Sequence, residues 1–412
     1  MGFQSGLSGL NASAKNLDII GNNVANSNTV GFKNSRAIFA DVFASSVAGS
    51  GASPVGIGVK VAQVQQQFAQ GNISVTNNSL DLAINGKGFF RLDNDGPISY
   101  SRNGQFHQDS EGYIVNVDGY KVTGYPVDAG NNVVASAPVP LRMSTSDIQP
   151  EATSAVEATL NLDSRSAPIA AAFAPTNAST YTNATSTAIY DSLGNAHSLT
   201  LYFVKAAAAG EWNVHATVDG GGVAAVDLGA GAGLPATLNF NSTGLMTTAM
   251  PLTGINLSIT GGAITPLSTT LSFNGTTQFG SEYGVTSLSQ NGYTSGRLTG
   301  FNVSESGIVQ GRYSNGEVNN LGQVVLVTFA NPEGLRLMGD NQWQETTESG
   351  LSVVGTPLTG SLGSLQSASV EDSNVDLTQE LVNMITAQRT YQANAQTIKT
   401  QDQTLQTLLN LR

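Results

Sequence analysis

LTQELVNMITAQRTYQANAQTIKTQDQTLQTLLNLR, residues 377–412, is the stretch whose reading decides the fold. It contains neither Gly nor Pro, so nothing in it obliges a helix to stop. Steps of four and three residues run through Leu377, Leu381, Met384, Gln388, Tyr391, Ala395, Ile398, Asp402, Leu405 and Leu409. This is an apolar heptad seam, interrupted only by Gln388 and Asp402. A helix over the whole stretch would be about 54 Å long, more than a small domain requires. Its other faces carry Gln, Asn and Thr where a solvated helix usually carries Lys and Glu. One apolar stripe with uncharged flanks predicts neighbours on several sides. Gln388 and Asp402, polar on an apolar seam, are candidates for fixing its register. The competing reading puts each on an exposed part of the seam.

The other end of the chain repeats the pattern on a smaller scale. Phe3, Leu7, Leu10, Leu17 and Val24 follow the same spacing, with Ala14 and Gly21 completing the line. Two seams at opposite ends predict that segments 1–26 and 373–412 pair as terminal helices, against the alternative of two helices lying on separate domains. The seam is expected to face the partner helix and the Gln, Asn and Thr faces to meet other copies. GNNVANSNTVGFKNSR, residues 21–36, ends the first helix with turn chemistry. Asn23, Asn26, Asn28 and Thr29 offer side-chain oxygens to freed backbone amides, Gly31 permits a tight bend, and Phe32 follows. By residue type alone this is a shaped elbow.

Residues 27–71 read as a connector, with Gly56-x-Gly58 as a chain reversal and VAQVQQQF as strand-like; no phosphate-loop pattern occurs. From 72 to 144 the period changes to two, as in Leu80, Leu82, Ile84 and in Tyr113, Val115, Val117. Asn94-Asp95-Gly96, Asn103-Gly104, Glu111-Gly112 and Asp118-Gly119 punctuate it at hairpin spacing. From 145 to 284 the composition shifts to Ala, Thr, Ser and Gly, with strands expected near 158–162, 186–191, 199–204, 212–218 and 271–273, and a turn at DSLGN, 191–195. From 285 to 363 the turn-rich pattern returns, with Gln323–Phe329 as one buried strand. These last strands are expected to complete the domain of 72–144, which makes 145–284 an insertion. The fold class is therefore mainly β with a terminal α-helical coiled coil, and two nested all-β domains between the helices.

Composition narrows the function. Only 11% of the 412 residues are charged, the net charge is −12, and there is no basic run, which disfavours nucleic acid and anionic membranes as partners. The chain has no Cys, so disulfides, thiol catalysis and thiolate metal sites are excluded. Of its three histidines, His197 and His215 could be cross-strand neighbours, but they and His107 lack a third metal ligand. Asp93-Asn94-Asp95-Gly96 has Arg91 and Arg102 where a calcium loop needs acids, so it reads as a hairpin turn. The longest apolar run, Val324–Val327, is too short to cross a bilayer, and MGFQSGLSGLNASAKN does not read as a Sec signal. No catalytic residue, cofactor or metal site is predicted, and the protein is expected not to be an enzyme.

Four stretches carry a resemblance. NNVANSNTVGFK, residues 22–33, resembles the N-terminal signature of the bacterial flagellar rod and hook protein family, and SNVDLTQELVNMITAQRTYQANAQTIKTQDQTLQTLLNL, from Ser373 on, is similar to its C-terminal signature. LDLAINGKGFF with the later Tyr-Ser-Arg-Asn-Gly resembles the family's shared β-domain. YDSLGNAHSLTLYFVK, residues 190–205, resembles the outer domain found in hook proteins and missing from shorter rod proteins. The resemblance implies a self-polymerising subunit of the flexible tube that couples rod to filament and transmits torque. It also implies a place outside the cell in the hook and basal body and export by the flagellar type III route; and because long helices without tertiary cover are marginal, the termini of the free chain are expected to be disordered until polymerisation. Its partners would be further copies of itself and the distal rod, hook cap and hook–filament junction proteins, with no nucleic acid and no membrane insertion. The alternatives are a distal rod protein and, from other classes, an extracellular β-rich binding module or hydrolase, or an adhesin.

Overall fold

Two helices bracket the chain, α1 (Gly2–Ala25) and α2 (Leu377–Asn410), with the strands between them. The computed structural model describes residues 2–43, 56–128, 130–144, 146–221, 226–259, 261 and 263–410. Helix α2 begins where Asp376 caps it: its Oδ1 accepts from the amides of Thr378 (2.9 Å) and Gln379 (3.1 Å). Along its length Thr386, Thr390, Thr397, Thr400, Thr404 and Thr407 each donate a hydroxyl to the carbonyl four residues back. The donors on its Thr-rich faces are thus satisfied within the helix.

The chain forms two compact units. The first comprises Met1–Thr145, Gly300–Gly311 and Val318–Arg412, and the second Ser146–Thr299 and Arg312–Glu317.

In the first unit, early and late strands interleave. Antiparallel registers join Leu326 to Phe90, Gln323 to Tyr125, Trp343 to Tyr100, Leu365 to Ile84 and Val370 to Ser74. One apolar cluster holds Leu82, Ile84, Phe90, Leu92, Val324, Leu326 and Leu365. A second is a herringbone of Phe68, Phe89, Tyr100, Phe329 and Trp343, with ring centroids 4.8–5.8 Å apart. The expected single strand over Gln323–Phe329 is two, Val318–Val324 and Leu326–Thr328, with Val324–Val327 fully buried across the junction.

The expected connector contains a hairpin, β1 (Ser35–Phe43) against β2 (Gly56–Gln66). Most of its Gly/Pro-rich part lies outside the described residues. Gly56 and Gly58 are not the reversal; they open β2. Gly58 (φ +149°) lies so close to α1 that a Cβ there would collide with the Ser8 side chain, which explains the glycine.

The second unit is a sandwich of two sheets. A five-stranded sheet runs in the order 226–227, 252–257, 267–272, 155–161, 284–290, and a four-stranded one in the order 183–190, 196–205, 211–218, 236–239. They share one core, including Leu160, Leu201, Phe203, Trp212, Val214, Leu238, Leu257 and Phe273. The unit extends beyond the boundary expected at 284, because strand Gly284–Gln290 pairs with Ala155–Asn161.

Candidate assembly site

The two terminal helices pack on each other in antiparallel fashion, along a line of small and polar residues that includes the seam residue Ile398. A Cβ on Gly6 would lie 3.1 Å from Cγ1 of Ile398, and one on Gly9 would lie 2.9 Å from Oδ1 of Asn394. Asn394 also donates to the Ser13 hydroxyl at 3.3 Å, and Asn23 reaches Glu380 at 3.5 Å. The contact line is therefore Gly6, Gly9, Ser13 and Asn23 against Ile398, Asn394 and Glu380. In α1 it runs one residue before the seam positions 7, 10, 14 and 24; in α2 it is displaced in the same way at 380 and 394 and lies on the seam at Ile398. One residue is about 100° around a helix, enough to turn the seam off the partner.

The seam residues consequently lie elsewhere. Phe3, Leu7, Leu377, Leu381 and Leu405 are about half-exposed, as are Val382 and Ile385 beside them, from 45% at Leu7 and Leu381 to 53% at Val382. Leu10, Leu17, Val24, Met384, Tyr391, Ala395 and Ile398 are half-buried, and the Leu409 side chain lies outside the described residues. Gln388 and Asp402 are both exposed. The seam meets the partner helix at Ile398, but Phe3, Leu7, Leu377, Leu381 and Leu405 are turned partly into solvent, for a physical reason. Glycine and serine let two backbones approach closely, and polar side chains then bond across the gap, whereas two facing rows of Leu would hold the helices further apart. The pair leaves an apolar stripe uncovered.

Beside it, α1, α2 and the β1–β2 hairpin enclose a groove of about 940 Å³, lined by Ser13, Ile20, Phe39, Val59, Asn383 and Ala387 among others. Phe39 and Val64 of the hairpin are exposed as well.

At the base of the pair the elbow is tied down bond by bond. Asn23 is buried and braces the start of β1, accepting from the Ser35 amide (2.9 Å) and donating to its carbonyl (2.8 Å). Asn26 accepts from the Thr29 hydroxyl at 3.2 Å, while Asn28 is exposed. Gly31 (φ +73°) donates its amide to the Glu371 carbonyl at 2.8 Å, and a Cβ there would come within 2.6 Å of the Asn103 amide nitrogen. Phe32 is buried.

Next to Phe32 is a cluster that residue types alone did not reveal. Lys33 Nζ lies 2.6 Å from one Glu371 carboxylate oxygen, and Arg102 lies 3.0 Å from the other. The Lys33 and Glu371 side chains are fully buried and that of Arg102 nearly so. Lys33 also donates to the Ala69 carbonyl, Arg102 to the Gly86 carbonyl, and the Gly71 amide to Glu371. Burial lowers the pKa of Lys33 and that of Arg102 below their usual values, while the Glu371 charge pulls both back up. Asn374 completes the tie, accepting from the Asn34 amide (2.7 Å) and donating to the carbonyls of Gln67 and Ala69. The available signal was a pair of cations inside quoted motifs, in a chain with only 17 Lys and Arg.

The histidines do not meet. His197 pairs across strands with Ile189, and His215 with Tyr202. His197 is instead held between two carboxylates, Asp219 on Nδ1 (2.6 Å) and Asp191 on Nε2 (3.3 Å), while His215 stacks on Phe173 at 4.2 Å. Among the described residues no group of three His, Asp or Glu side chains is placed to hold a metal ion. Asp93 and Asp95 belong to a hairpin turn: Asp93 accepts from the Gly96 amide and Asp95 pairs with Lys121.

Four family models match the chain: flagellar basal body rod protein over residues 3–33, flagellar hook protein D1 domain over 83–160, flagellar basal body protein D2 domain over 161–293, and the basal body rod protein C-terminal segment over 366–411. The flagellar hook protein of Escherichia coli K12 is 42% identical over 417 residues, and that of Salmonella typhimurium LT2 43% over 420, each covering 100% of both chains. The hook protein of Treponema pallidum is 31% identical over 462 residues, covering 99% of this chain and 98% of its own. Among solved structures, the Helicobacter pylori flagellar hook protein aligns over 71% of this chain and 99% of its own, with a TM-score of 0.50 at 15% identity, a likeness of fold.

Proposed function

Because the chain belongs to the bacterial flagellar hook protein family, we propose that it is a structural subunit of the hook that assembles through its terminal helix pair. The uncovered apolar stripe carries this reading. A half-exposed leucine forgoes about 1 kcal/mol of burial, and a row of them is a strong drive to associate. In a tube of such subunits the helix pairs pack side by side as an inner layer, stiff in torsion, and the strand-built units lie outside it. The polymer bends and passes torque from rod to filament. Its neighbours at the two ends are the distal rod, the hook cap and the hook–filament junction proteins. It works outside the cell, in the hook and basal body, and performs no catalysis.

The test is polymerisation of purified protein, followed by sedimentation and electron microscopy. Wild type gives curved tubes, and straight rods would favour a rod role instead. Leu381→Asp with Ile385→Asp, both exposed in the single chain, leaves the monomer folded and abolishes tubes. Normal tubes from that double variant would refute assembly through the stripe.

A further inference from the structure

The cluster at the elbow joins three parts of the chain that are far apart in sequence. Lys33 follows α1, Arg102 belongs to the strand-built part of the same unit, and Glu371 stands just before α2. All three charges meet in a space closed to water, and one carboxylate serves two cations. Glu371 also binds the Gly71 amide through its side chain and the Gly31 amide through its own carbonyl.

Resting on the assembly reading above, we propose that Glu371 is the positioning residue that fixes the direction in which the helix pair leaves its unit. The geometry makes this demanding. Helix α2 has 34 residues, so it is about 51 Å long. A tilt of about 10° at its base would move its tip by about 9 Å, the whole distance between packed helices. A subunit with a loose base cannot bring its stripe into register with its neighbours, however sound the stripe itself. A buried ion cluster suits the task because its bonds hold only in one arrangement. Half-made, it leaves a charge buried without a partner.

The charge count gives a test that bulk packing would not mimic. Glu371→Gln keeps the shape but strands two buried cations. Lys33→Met in the wild-type background leaves Arg102 and Glu371 as an even pair. In the Glu371→Gln background, Lys33→Met removes one of the stranded cations and is therefore beneficial.

Hydrogen exchange at the Gly31 and Gly71 amides of the full-length monomer reads the base directly, and sedimentation reads assembly. The wild type protects both amides. Glu371→Gln raises their exchange by at least about tenfold and stops assembly, and adding Lys33→Met recovers much of both. Wild-type amides that exchange freely in the monomer, a Glu371→Gln variant as protected as wild type, or a double variant worse than Glu371→Gln would each overturn the proposal. If Glu371→Gln loses protection but still forms normal tubes, the base is not what orients the helices, and the proposal falls. Failure of the wild type to assemble at all would instead refute the assembly reading and leave the exchange result standing.

Discussion

The sandwich unit and the terminal helix pair treat their large apolar side chains in opposite ways. In the sandwich, Phe203, Trp212 and Leu238 are completely buried within their own unit. In the helices, Leu377, Leu381, Ile385 and Leu405 stand half in water, and the contact between the helices brings Gly6, Gly9 and Ser13 against Asn394 and Ile398. The sandwich covers its large apolar side chains within its own unit, whereas the helix pair leaves several of its own half in water. Helices without tertiary cover are marginal in water, so the two regions should respond to perturbation on different scales and in different states.

The largest effect should come from emptying the sandwich core. Trp212→Ala is expected to lose about 3–5 kcal/mol and to abolish the thermal transition of that unit, leaving the other transition in place. Calorimetry of monomer and polymer checks this; a loss no larger than that of a surface change would break the contrast. Next is Gly9→Leu, which drives a branched side chain into Asn394 and forces the helices apart. Overpacking of this kind is worth about 1–3 kcal/mol, and it should appear as a raised critical concentration for assembly with the sandwich transition unmoved.

A smaller effect, confined to the sandwich, comes from pH. Burial opposes the charge of His197, but the bonds to Asp219 and Asp191 outweigh it and raise the pKa above 6.5. That contribution is fully present below 6.5 and is lost as the pH climbs through the raised value. Asp191 is also buried against its charge, yet bonds from Asn195, His197 and the Leu193 amide hold it at about 2. Its contribution is present above 3.8 and is lost as the pH falls through about 2. The sandwich should therefore be most stable between these limits. On the alkaline side its melting point should drop, and His197→Gln should flatten that limb of a pH series of melts. The smallest effect is expected for Asp402→Leu. The residue is exposed, so monomer stability should shift by less than about 0.5 kcal/mol. If the variant alters only the regularity of the tubes under the electron microscope, Asp402 sets register between chains; unchanged tubes would remove it from that role.

Much of this was legible from pattern. Period-two alternation with Gly turns marked the strands of both units. The DSLGN turn folds as read: the Asp191 amide bonds the Asn195 carbonyl. The β1–β2 hairpin was hidden because its Gly-rich part reads as loop, while Gly58 is there to pass α1. Strand Gly284–Gln290 was hidden because an exposed edge strand carries little apolar signal. The ion cluster was hidden for a different reason. Lys33, Arg102 and Glu371 are ordinary charges in sequence, and only a fold that brings positions hundreds of residues apart together makes them one object.

The sequence by itself determined that two long helices stand at the ends of a β-rich chain, that each carries an apolar seam, and that the elbow after the first must bend at Gly31. Those are local properties, written in spacing and residue type. Which face of each helix meets the other was decided by the tertiary structure alone. The seam predicts that something will cover it, but periodicity cannot say what. The close approach allowed by Gly6 and Gly9 gave much of that contact to the neighbouring small and polar line, and so left Leu7, Leu377, Leu381 and Leu405 half-exposed.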